Sequence, residues 1–83
     1  MIHELKTWPE PFKAVVSGRK THEIRVGDRP FGVGDTLMLC EYDPRKREYT
    51  AMTCNVRVTY ITLGGSFGLP DNLCVMSIEK VLP

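Results

Sequence analysis

The clearest alternation of apolar and polar positions runs from Tyr49 to Thr62. In an extended chain Cys54, Val56, Val58 and Tyr60 fall on one face and Asn55, Arg57 and Thr59 on the other. Period two predicts a strand with one buried face. Thr36 to Tyr42 carries apolar residues on both faces, which predicts a central strand inside a closed or covered sheet. Shorter strands are predicted over Met1 to Lys6, where Ile2, Glu4 and Lys6 oppose His3 and Leu5, over Lys20 to Val26, and over Leu73 to Leu82, which is rich in Val, Met and Ile. The period changes to that of a helix where Phe12, Val15 and Val16 recur at i, i+3 and i+4. Thr7-Trp8-Pro9-Glu10 has the form of a capping box, with the Thr7 hydroxyl accepting from an N–H three residues on and Glu10 reaching back. Pro9 and Pro11 are tolerated in a first turn, and Gly18 closes the helix.

Turn chemistry separates these elements. Gly27-Asp28-Arg29-Pro30 and Phe31-Gly32-Val33-Gly34-Asp35 mark a loop, and Asp43-Pro44 starts a turn with the basic tip Arg45-Lys46-Arg47. Gly64-Gly65-Ser66-Phe67-Gly68-Leu69-Pro70 marks another loop. One helix among five or so strands, with no repeat or linker, predicts an α+β, mostly β domain over residues 1–83. Its expected form is a small antiparallel or mixed β-barrel with the helix covering one opening.

Composition narrows the class. Hydrophobic residues make up 42% and charged residues 25% of the 83-residue chain, values of a folded domain rather than a disordered or fibrous one. No apolar run approaches the roughly 20 residues that span a bilayer, and Met1-Ile2-His3-Glu4-Leu5-Lys6 lacks a long apolar region, so the expectation is a cytoplasmic protein without membrane contact, monomeric by preference. Cys40, Cys54 and Cys74 are widely spaced and read as small core hydrophobes, not as a disulfide framework. His3 and His22 stand at no ligand spacing, so neither metal nor cofactor is expected. With a net charge of +1, any nucleic-acid binding must be local.

The densest chemistry lies in Gly18-Arg19-Lys20-Thr21-His22-Glu23-Ile24-Arg25. Alternation puts Glu23 and Arg25 on one strand face and His22 and Ile24 on the other. By itself this is an ion pair on a strand, which such networks often are.

The octapeptide resembles the Gly-x-Lys-x-x-Glu-x-Arg signature of ASCH domains, a superfamily with a PUA-like β-barrel. The opening His3-x-Leu5-Lys6-x-x-Pro9-x-x-Phe12, the pair Asp28-Arg29, Val33-Gly34-Asp35 and Gly65-x-Phe67-Gly68-Leu69 are similar to a small stand-alone ASCH-like family of unknown function from bacteria and their phages. The resemblance covers nearly the whole chain. It implies a barrel whose signature strand lines a cleft beside the helix, and it implies RNA or nucleotide recognition. A superfamily relative is an amidohydrolase of an acylated cytidine in which a Lys activates a Thr three residues later. Here Lys20 matches, but Glu23 stands at the nucleophile position. Another superfamily member is described as a ribonuclease.

Three functions follow as expectations. As an RNA- or nucleotide-binding module, the domain would use Lys6, Arg19, Lys20, Arg25 and Arg29 for phosphates. Trp8 and Phe67 would stack bases, with Gly65 letting backbone amides approach. The plainer roles are a staple for Trp8 and a barrel plug for Phe67. As a metal-independent hydrolase of RNA or a modified nucleoside, it would use Glu23 as acid or base, Lys20 as electrostatic stabiliser and Arg25 as substrate clamp, although pairing with Arg25 disfavours Glu23 as a base. As an adaptor of phage or bacterial origin, it would bind a protein through its barrel surface. Glu41 and Glu79 are further carboxylates on strands, either of which could approach the cleft.

Overall fold

Alternation and turn chemistry produce β1 (Ile2–Thr7), α1 (Pro9–Val16), β2 (His22–Val26), β3 (Thr36–Asp43), β4 (Glu48–Leu63) and β5 (Leu73–Lys80) in the computed structural model, which describes residues 1–81. Leu82, assigned from the sequence to the last strand, lies outside the described residues. The strands form one sheet in the order β1-β3-β4-β5-β2. β1 runs parallel to β3 and every other neighbouring pair is antiparallel. The domain is mostly β, and its curled mixed sheet makes a half-barrel. Leu37 and Leu39 of β3, Val56 and Val58 of β4 and Met76 of β5 are almost completely buried, and Phe12 and Val15 of α1 close over them.

Three local expectations change. The capping box does not form, because Thr7 is still the last residue of β1 and its buried hydroxyl donates to Leu5 O at 3.3 Å. Trp8 is the N-cap residue without a side-chain cap, and Pro9 begins the helix, its ring presetting φ where no N–H is needed. In β4, Val58 pairs with Ile78 but Tyr60 pairs with Ser77, so a bulge adds one residue and reverses the alternation. Tyr60 is therefore exposed, and Ile61 packs against the core instead. β2 likewise starts two residues later than expected, because the Lys20 N–H is tied back to Ala14 O at 3.0 Å.

The sheet order leaves β1 and β2 as its two edges, and side chains from one bridge to the other. The Arg25 guanidinium donates from Nη1 to Lys6 O at 3.1 Å and from Nη2 to Thr7 Oγ1 at 3.2 Å. From the loop after β2, Arg29 adds a bond from Nη1 to Glu4 O at 3.4 Å. The bonds to Lys6 O and Glu4 O occupy main-chain acceptors on the edge strand β1.

At the start of β3, Asp35 fastens the preceding loop to β1. Its Oδ2 lies 2.8 Å from His3 Nε2 and 2.9 Å from the Gly32 N–H. A carboxylate only accepts, so His3 carries its proton on Nε2. The hydrogen bond from His3, followed by that from Gly32, holds the Asp35 carboxyl below the usual carboxylate range. A depressed folded-state value contributes stability above the unfolded value of about pH 4, lost as pH falls through the folded one. Asp35→Asn is accordingly expected to be less stable than wild type near pH 7, with the gap in denaturant midpoint closing below about pH 4. A gap that stays constant from pH 7 to pH 3 would contradict this linkage.

Candidate functional site

Glu23 and Arg25 share the inward face of β2, and Lys20 reaches the same point from the turn after α1. That turn depends on Gly18, whose φ of +82° carries the chain out of the helix in the left-handed region. Glu23 is only 3% exposed. Its Oε2 accepts from Lys20 Nζ at 2.5 Å, and its Oε1 accepts from Arg25 Nε at 3.0 Å and Nη2 at 2.8 Å. A carboxylate this deep is compensated from both sides.

The donor inventory shows what remains. Lys20 spends a second N–H on His22 O at 2.6 Å, leaving one of its three free. Arg25 spends Nε–H, both N–H of Nη2 and one of Nη1, leaving one of its five. Two cations around one carboxylate thus keep a surplus positive charge, and their side chains are 22% and 23% exposed. They open onto a cleft of about 350 Å³ that is also lined by Lys6, Thr7, Trp8, Pro11, His22 and Ile24. Trp8 is 58% and Ile24 53% exposed, so an indole and an aliphatic side chain stand beside the cations.

The family described as Domain of unknown function (DUF3850) matches residues 2–78. The chain belongs to the DUF3850 family. No curated protein matches it.

In this DUF3850 chain the other residues singled out from the sequence are dispersed. Lys6 lines the cleft with its ammonium 4.2 Å from the centroid of the Tyr42 ring. Arg29 lies in an adjoining groove that shares Ile24 and Arg25 with the cleft. Arg19 donates to Ser17 Oγ at 3.2 Å on the exposed side of the turn and does not line the cleft. Phe67 is fully exposed with a φ of +51°, and Gly65 has a φ of +87°. Phe67 lines a different concavity, with Leu69 and Pro70, so its loop is not brought to the Lys20–Arg25 cleft. His22 is exposed at the rim, as alternation opposite Glu23 implied.

Of the two strand carboxylates left open by the sequence, Glu79 pairs with Arg57 on the exposed surface. Glu41 is buried and accepts from the Thr50 hydroxyl at 2.7 Å. Thr7, which braces Arg25, reads in the sequence as a helix cap; its place as the third buried position of β1 after His3 and Leu5 is what brings it to the cleft. Of the three cysteines read as core residues only Cys74 is buried, Cys40 and Cys54 being partly exposed, and desolvation pushes all three thiols up. Among the described residues no three His, Cys, Asp or Glu side chains form a metal-holding group, and no helix is long and apolar enough to cross a membrane.

Proposed function

We propose that the cleft between β1, the start of α1 and β2 binds single-stranded RNA or a nucleotide, in a barrel of the PUA-like type that the ASCH signature implies. The observation that carries this reading is the buried Glu23 with two partly exposed cations, each keeping an N–H, beside an exposed indole. The free N–H groups and surplus charge suit a phosphate, and the Trp8 face suits a base. Glu23 is a positioning residue in this arrangement. Both its oxygens are engaged by donors, so it fixes Lys20 and Arg25 rather than taking a proton from a substrate.

The test is affinity for short single-stranded RNAs and nucleotides as a function of salt. Lys20→Ala is expected to weaken binding and to reduce the slope of log affinity against log salt by about one, while Trp8→Ala costs about 1–3 kcal/mol with the slope kept. Circular dichroism checks that each variant is folded. No measurable binding to any such ligand at low salt, or a Lys20→Ala variant with unchanged affinity and slope, would sink the proposal.

A further inference from the structure

Glu41 presents the reverse of the Glu23 arrangement. It is 8% exposed, yet no cation pairs with it among the described residues; the one donor that reaches it is the Thr50 hydroxyl, on Oε1. No buried side-chain oxygen is left without a partner, so Oε2, which has none, retains access to solvent. A carboxylate buried this far without a paired cation is costly, and where Glu23 is paired with two cations Glu41 is paired with none among the described residues, although Lys6 lines an adjoining cavity that Glu41 also reaches.

The local backbone is arranged around this side chain. Cys40 pairs with Thr53 and Tyr42 with Tyr49, so Glu41, which pairs with Thr7 of β1 on its other side, faces three residues of β4, Thr50, Ala51 and Met52, with no ladder partner on that strand. Ala51 takes a φ of +71°, the left-handed region that a Cβ makes unfavourable. Beside this bulge lies a groove of about 500 Å³ between α1 and β4, in which Glu41 is flanked by Phe12, Val16, Met52 and Cys54. Val16 is 45% and Met52 59% exposed, so its walls present apolar surface to solvent. The groove shares no lining residue with the Lys20–Arg25 cleft.

We propose that this groove is a second binding site, for a small organic ammonium ion with an apolar body, whose nitrogen donates to Glu41 while its carbon skeleton lies against Val16 and Met52. The volume is that of a small-molecule pocket, and the single buried charge fixes the sign of the ligand. A carboxylate ligand would be repelled, and a neutral alcohol of the same shape would leave Glu41 uncompensated. Lys13 stands on the rim but makes no ion pair with Glu41.

The experiment is an NMR titration of the full chain with hexylammonium and, in parallel, with hexanol. Hexylammonium is expected to shift the amide signals of Val16, Glu41, Thr50 and Met52 and to bind at least ten-fold more tightly than hexanol. Glu41→Gln is expected to remove that preference. Because a buried substitution risks the fold, Met52→Lys supplies an independent arm: it places a competing ammonium on an exposed wall and is expected to weaken hexylammonium at least three-fold. Equal response to the two probes, no shifts around the groove at millimolar hexylammonium, or undiminished binding by Met52→Lys would overturn the proposal.

Discussion

Replacing Glu23 by alanine is expected to destabilise the domain by about 3 kcal/mol and to lower its melting temperature by about 12–24 °C. The substitution removes the carboxylate that Lys20 and Arg25 share and leaves two like charges facing each other across its vacated position. Removing one partner of a buried ion pair typically costs about 3–5 kcal/mol, and the lower end applies because both cations are partly exposed. The effect extends to the sheet, since the Arg25 guanidinium that Glu23 orients is also the bridge from β2 to β1. Glu23→Gln keeps an acceptor for one cation and should fall between wild type and alanine. Thermal unfolding followed by circular dichroism measures both. An alanine variant that melts within about 3 °C of wild type would mean that the triad contributes nothing net, as exposed ion pairs often do.

Leu39→Ala is expected to cost about 2–5 kcal/mol, a large share of a domain whose total stability is on the order of 4–12 kcal/mol. Leu39 is fully buried in β3, beside Leu5 of β1 and Cys54 of β4 and beneath α1. A half-barrel of this length has one thin core, so the cavity has few neighbours able to collapse into it. Leu39→Met conserves volume and should cost less than about 1.5 kcal/mol. Urea denaturation of the two variants separates lost packing from a general intolerance of change. Equal midpoints would contradict a core centred on β3.

The strands and the helix were legible because each carries its own period. His3 and Leu5 of β1, and Val56 and Val58 of β4, are buried where alternation puts them. What alternation cannot contain is an added residue. The bulge after Val58 exposes Tyr60, and the one facing Glu41 opens a groove, yet neither position carries a glycine to mark it. Lys20, Glu23 and Arg25 could be grouped because they lie within one turn and one strand, so their proximity is local in sequence. The fate of the Phe67 loop depended instead on where the end of β4 sits relative to β2, which no local pattern encodes. Thr7 misled for a related reason. Its neighbours fit a capping box, but a buried strand position and an arginine from another strand claimed the hydroxyl first.

The measurement that bears most directly on the cleft is an NMR titration of the chain with a short single-stranded RNA at low salt, read residue by residue. A ligand between β1, α1 and β2 is expected to shift the Trp8 indole N–H, the Arg25 Nε–H and the amides of Lys20, His22 and Ile24 together, along one saturating curve. Shifts confined to Arg45, Lys46 and Arg47 at the hairpin tip or to the Phe67 loop, with the Trp8 and Arg25 signals unmoved, would contradict the account.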